Sequence, residues 1–186
     1  LRIAAHMAQD QAMLAAFRAG QDIHAATAAA IYGIPLDQVS KEQRRHAKAI
    51  NFGIIYGMSA FGLTRSSELT LAEAEDFLEE YYQTFPGVKQ YLDQVRVRAA
   101  EDGYVETLLG RRRYFPELAA SSRANPNAKR AAERMAINMP IQGAAADIIK
   151  LAMIEMARVI RNEGLKSRMI LQVHDELVFE IPADEF

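Results

Sequence analysis

The stretch that most constrains this chain is Ser40 to Gly57, SKEQRRHAKAINFGIIYG. Ser40 followed by Gln43 is a capping box, S-x-x-Q, in which each side chain satisfies a backbone N–H that a helix start leaves bare. The pattern predicts a helix from this point. Inside it, Arg44, Lys48, Phe52 and Tyr56 recur every four residues. At about 100° per residue, each step of four turns the stripe by only about 40°. One helix face therefore carries two cations, then an aromatic ring, then a phenol. That order suits a nucleoside triphosphate, with cations for the phosphates and flat rings for sugar and base. Gly57 is placed to end the helix.

Basic residues near a helix start are usually a solvated face, and Phe and Tyr at helical spacing are usually core. Arg44 and Lys48, however, oppose the macrodipole at a helix N-terminus, where acids are preferred. Bulk composition does not decide the matter. Net charge is −2, so only local clusters can mark a nucleic-acid partner. With 186 residues, half of them hydrophobic, there is enough for one good core or two small subdomains. The absence of cysteine excludes disulfides and thiolate metal sites. His6, His24, His46 and His174 show no zinc spacing. No apolar run is long enough to span a bilayer and no signal peptide is visible, so a cytoplasmic location is expected. The chain starts at Leu1 in mid-pattern and stops at Phe186 just after a strand pattern, which reads as an excised piece of a larger protein.

Leu1 to Ala19 reads as one amphipathic helix with Ile3, Met7, Leu14 and Phe17 on its apolar side. Gln21-Asp22-Ile23-His24 opens a second, with Asp22 as cap and Pro35 ending the segment. Ser59 to Ser67 looks like a short helix. Thr70 with Glu73 is another capping box, starting a helix from Leu71 to Phe85. Its acids, Glu73, Glu75, Asp76, Glu79 and Glu80, read as a solvated outer face turned away from any polyanion. Pro86-Gly87 punctuates before a helix from Val88 to Asp102.

Tyr104 to Thr107 and Arg111 to Phe115 read as two strands of a hairpin. Three consecutive arginines in a strand cannot all point one way. A charged edge that resists aggregation and a phosphate-contacting hairpin are equally open readings. Ser121 to Asn127 is loop, and Ala128 to Asn162 is the longest helical pattern, which Pro140 is expected to kink or split. Arg134, Asn138 and Gln142 lie at four-residue spacing across that proline. All three can donate hydrogen bonds, and donors facing a minor groove can use acceptors that occur in every base pair. Met169 to Val173 and Leu177 to Ile181 are strand-like, with His174-Asp175-Glu176 as the tip of a tight hairpin. A turn acid is usually only a turn former, but here two acids and a histidine sit on otherwise apolar strands.

Four strings, in order, carry a resemblance. R-x-x-x-K-x-x-x-F-G-x-x-Y-G from Arg44 resembles motif B, the finger helix, of family A DNA polymerases. Leu1-Arg2-Ile3 resembles the tail of motif A, R-M-A-x-N-M-P-x-Q-G from Arg134 the primer–template helix, and Q-V-H-D-E-L-V from Gln172 motif C. The resemblance covers nearly the whole chain. It implies an α+β, mainly helical fold: the fingers subdomain of a right-hand polymerase plus part of the palm with its antiparallel sheet. Residues 1–23 and 119–186 would be palm and residues 24–118 fingers.

The resemblance further implies template-directed DNA synthesis in replication and repair. A primer 3′-hydroxyl attacks the α-phosphate of a dNTP, with two Mg²⁺ ions at the attacking and leaving oxygens. Asp175 would bind metal and His174 would lie near the primer end, while the role of Glu176 stays open between ligand and bystander. Lys48 would neutralise the phosphates and protonate the leaving pyrophosphate. Arg44 would grip the terminal phosphate with its planar fork, and His24 would contact the triphosphate. Phe52 would pack near the sugar and Tyr56 near the templating base. A Phe at position 52 implies discrimination against 2′,3′-dideoxynucleotides. Arg134, Asn138 and Gln142 would read the minor groove. The finger helix is expected to swing on binding. The partners implied are primer–template DNA, dNTP and the rest of the polymerase chain, thumb included. The metal-binding Asp of motif A would lie upstream of Leu1, so the isolated chain is expected to fold partly and not to polymerise. Two further readings are a nucleotide- or DNA-binding module without chemistry and a bare helical scaffold.

Overall fold

The computed structural model spans residues 1–186 and describes all of them except Ser66 and Glu68. Among the described residues it is built from eight α-helices and two antiparallel hairpins. The helices are α1 (Arg2–Ala8), α2 (Gln11–Arg18), α3 (Ile23–Tyr32), α4 (Lys41–Ile55), α5 (Ala60–Thr64), α6 (Leu71–Thr84), α7 (Pro86–Glu101) and α8 (Pro126–Asn162). Strands β1 (Tyr104–Glu106) and β2 (Arg112–Tyr114) pair with each other, as do β3 (Arg168–Val173) and β4 (Glu176–Glu180).

Local chemistry sets most boundaries. Ser40 and Gln43 form the full capping box of α4, and Thr70 and Glu73 that of α6. Asp22 caps α3 by accepting from the N–H groups of His24 and Ala25. The acids of α6 all face solvent while Ala74, Phe77 and Tyr81 go inward.

The expected single helix from Leu1 to Ala19 is broken in two. Gln9 takes a left-handed conformation (φ 49°) and Asp10 caps the second piece through Met13 N–H at 3.0 Å. The other oxygen of Asp10 accepts from Gly87 N–H at 3.0 Å. A Cβ on Gly87 would sit 3.0 Å from both Ala8 O and Asp10 Cα, so a larger residue would push this close approach apart. A tertiary contact thus cuts a helix that its own periodicity would continue. Helix α3 ends at Gly33 (φ 62°), two residues before Pro35. Helix α7 starts at Pro86 rather than Val88, and α8 at Pro126 rather than Ala128, because proline suits the first helical turn, where its missing N–H is not needed. Pro140 does not split α8, which runs unbroken from Pro126 to Asn162. The short helix after Ser59 covers Ala60–Thr64; the Ser66 part of the expected span lies outside the described residues. Glu176 belongs to β4, opposite Val173, so only His174 and Asp175 form the turn.

The main core joins Met13 and Ala28 with Ile50 and Ile54 of α4, Phe77, Tyr81, Phe85, Leu92 and Ile137. A second cluster packs Val95 and Ala99 against Val105, Phe115, Ala132 and Ala136. The last fifteen residues of α8 and both strands of β3–β4 contain no buried residue.

Candidate functional site

On α4, Ala47, Ile50, Asn51, Ile54 and Ile55 are buried, so the opposite face is free. Arg44, Lys48, Phe52 and Tyr56 occupy that free face, and the two rings are about 40% exposed (Phe52 40%, Tyr56 42%). Two exposed aromatic rings in line with two exposed cations are not a core stripe. Lys48 makes no hydrogen bond or ion pair with any described residue.

Helix α3 brings His24 beside this stripe, with its ring centroid 5.7 Å from that of Phe52. Asp22 serves both helices. Its Oδ1 caps α3, and its Oδ2 accepts from the Nε and a terminal nitrogen of Arg44, each at 2.8 Å. Burial pushes the Asp22 carboxyl up, but the bonds from Arg44, Ala25 and His24 outweigh it and hold it below its usual range. The Arg44 fork is thereby aimed before any ligand arrives. Burial pushes the His24 imidazole down; Asp22 opposes this, while Arg44 and Lys48 reinforce it.

Behind His24 lies a buried polar cluster that periodicity alone did not single out. Asn51, fully buried, donates to Thr27 Oγ1 (3.0 Å), lies 3.2 Å from His24 Nδ1, and accepts from the Tyr81 hydroxyl (3.2 Å). The signal available in the sequence was an asparagine on the apolar side of a helix, between Ile50 and Ile54.

The end of α4 meets α8. Gly57 has φ 64°, and a Cβ there would come within 3.3 Å of Arg134 Cα, Arg134 Cγ and Ile137 Cδ1. The positive φ favours glycine at this turn, and the absence of a Cβ lets the end of α4 pack closely on α8 at Arg134 and Ile137. Along α8, Arg134 and Gln142 are exposed and Asn138 is half-buried, its side-chain oxygen buried without a hydrogen-bond partner among the described residues.

The arginine hairpin alternates as strand geometry requires. Arg111 binds Asp147 of α8 through two nitrogens at 2.8 Å, and Thr107 donates to the same carboxylate at 2.6 Å. Arg112 turns to Glu106 and lies 4.5 Å over the Tyr104 ring. Arg113 lies over Phe115 and reaches Met135, without a carboxylate partner among the described residues. Two of the three charges are thus used within the fold, and Asp147 is a second polar anchor that the sequence reading missed.

His174 and Asp175 stand exposed at the hairpin tip, His174 in a left-handed conformation (φ 54°). The Asp175 carboxylate makes no hydrogen bond or ion pair with a described residue. Among the described residues no group of three or more acids or histidines is gathered as a metal site.

The family model for DNA polymerase family A matches residues 1–186. The chain belongs to DNA polymerase family A. It is 52% identical over 184 residues to DNA polymerase I of Pseudomonas aeruginosa, covering 99% of this chain and 20% of that protein. It is 49% identical over 185 residues to DNA polymerase I of Geobacillus stearothermophilus, covering 100% of this chain and 21% of that protein. The chain spans about a fifth of the length of these curated relatives. Among solved structures, the Pol1 polymerase domain from Mycobacterium smegmatis, in complex with DNA primer-template and dNTP, matches with a TM-score of 0.92 and 47% identity. That match covers 99% of this chain and 32% of the other. The fold is that of a family A polymerase segment, mainly helical with small antiparallel sheets, and no helix among the described residues is long and apolar enough to cross a membrane.

Proposed function

We propose that this segment forms the fingers and part of the palm of a DNA-directed DNA polymerase acting in replication and repair. It takes part in template-directed nucleotidyl transfer from a dNTP to a primer 3′-hydroxyl. The single observation that carries this is the free face of α4, where Arg44, Lys48 and Phe52 line up with His24 beside them. Cations near phosphates act electrostatically, most strongly where charge develops as the leaving group departs. Arg44, aimed by Asp22, takes the terminal phosphate. Lys48, without a partner among the described residues, neutralises the phosphates and supplies a proton to pyrophosphate. His24 donates to the triphosphate, Phe52 covers the sugar, and Tyr56 stands by the templating base. Arg134, Asn138 and Gln142 offer hydrogen bonds to the minor groove, and His174 lies by the primer end. In this reading residues 1–23 and 119–186 are palm, residues 24–118 are fingers, and the partners are primer–template DNA, dNTP and the remaining polymerase chain. The setting is the cytoplasm.

The chemistry of the family depends on metal ions, and Mg²⁺, two ions in this reading, fits the oxygen donors of Asp175, unpaired among the described residues, with Glu176 adjacent. When bound, such ions stabilise the attacking and leaving oxygens. Single-nucleotide incorporation on a primer–template, measured on the complete polymerase chain across a magnesium titration, tests the reading. Nucleotide binding without extension at any magnesium level would favour the non-catalytic module instead.

A further inference from the structure

We propose that Asn51 is a positioning residue that fixes the tautomer and the aim of His24. Three helices meet at its carboxamide: Thr27 and His24 come from α3, Asn51 from α4 and Tyr81 from α6. Asn51 and Thr27 are fully buried and Tyr81 nearly so, so each proton must be accounted for.

The accounting has one solution. The Thr27 hydroxyl has one hydrogen, and its 2.7 Å contact with Ile23 C=O uses it. The Asn51 atom 3.0 Å from Thr27 Oγ1 must then be the donating nitrogen, Nδ2. That leaves Oδ1 for Tyr81, whose hydroxyl donates to it at 3.2 Å. Burial drives the Tyr81 pKa up, so the phenol keeps its proton. The second hydrogen of Nδ2 points at His24 Nδ1, 3.2 Å away. An N–H can be received there only by a lone pair, so the neutral ring carries its proton on Nε2.

The charged side chains around His24 are Asp22 on its own turn and Arg44 and Lys48 on α4. Burial and the cations together outweigh Asp22 and favour the uncharged ring. A proton added at Nδ1 would also set two donors against each other. His24 therefore offers one directed N–H donor rather than a charge, beside Phe52 and in line with Lys48. The same α4 that carries the cations carries Asn51, so a shift of α4 moves the aim of His24 with it.

The consequence for nucleotide binding rests on the reading of His24 as a triphosphate contact, whereas the tautomer does not. The test uses the complete polymerase chain with ring-¹⁵N histidine, His24 being assigned from the signal lost in His24→Gln. The expected spectrum has the proton on Nε2 and a bare Nδ1 at neutral pH; an Nδ1-protonated ring overturns the proposal. Asn51→Asp puts a carboxylate against Nδ1, so His24 should hold two protons to a higher pH than in the parent. An unchanged titration overturns the proposal as well. Nucleotide affinity is then measured for Asn51→Ala, His24→Ala and the double variant, with Tyr81→Phe as a milder probe should Asn51→Ala fail to fold. Either probe should weaken dNTP binding, Asn51→Ala by about five- to tenfold and Tyr81→Phe by less, with DNA affinity kept. Neither should weaken it further when His24 is already alanine. Equal losses in both backgrounds mean that Asn51 supports the fold generally and not His24. If His24→Ala alone leaves dNTP affinity unchanged, the triphosphate contact fails while the spectrum still decides the tautomer.

Discussion

The α4 face and the β3–β4 hairpin, the two regions to which the proposed function assigns nucleotide and metal, are built in opposite ways. Helix α4 buries six residues and is tied to α3 and α6 by Asp22, Asn51 and Tyr81. Its functional side chains stand on a backbone that this chain stabilises by itself. The hairpin buries nothing, and Ile170, Leu171 and Val178 lie open together with Ile148, Leu151 and Ile154 of α8. At its open end Glu185 accepts from Lys166 N–H and from the Ser167 N–H and hydroxyl. The α4 face is thus preorganised by a local core, while the hairpin tip stands on strands that bury no residue.

That contrast can be broken or sharpened by experiment. The largest effect is expected from Asp175→Asn in the complete polymerase, which keeps size and an oxygen donor but removes the charge. Incorporation should fall on the order of 10²–10³-fold while primer–template affinity stays or rises, since affinity comes mainly from phosphate contacts elsewhere. Glu176→Gln, a strand residue, should do less harm. Near-normal incorporation by Asp175→Asn in paired binding and single-turnover assays would remove Asp175 from the metal site.

Next is hydrogen exchange in the isolated segment of residues 1–186. Amides of Ile50 and Ile54 should exchange about 10²-fold or more slowly than those of Leu171 and Val178, because opening free energy follows buried contacts. Equal rates would erase the distinction between a self-supported face and an unburied hairpin.

Lys48→Ala comes third. A charge-assisted contact is worth roughly 1.5–3 kcal/mol, so a loss of at least ~10-fold in incorporation is expected, with little change in DNA binding. Unchanged single-turnover kinetics would dispose of the role. Alanine at Arg134, Asn138 or Gln142 should weaken extension by about 3- to 10-fold, alike on every primer–template, as shared minor-groove acceptors require. A strong dependence on A·T against G·C at the contacted pair would contradict it.

The smallest effect concerns His174. A non-glycine residue in the left-handed region costs about 1–2 kcal/mol, so His174→Gly should strengthen the hairpin by about 1 kcal/mol or less once the freer unfolded chain is counted. Thermal unfolding that shows no gain, together with full activity, would mean the histidine is held there without strain and without purpose.

Capping boxes, glycine stops and the four-residue stripe were legible because each depends on neighbours within one or two turns. Ser40 with Gln43, Thr70 with Glu73, and Arg44 through Tyr56 needed nothing from the rest of the chain. The strands were legible for the same reason, through their alternation and their turn residues. What sequence could not supply were contacts closed over long separations. Asp10 caps a helix with one oxygen and with the other accepts from Gly87, far along the chain. Asn51 reads as an odd polar residue until His24, Thr27 and Tyr81 surround it, and Arg111 as a free charge until Asp147 takes it. Periodicity records which face of an element is apolar, and only the packed chain decides which partner waits on that face.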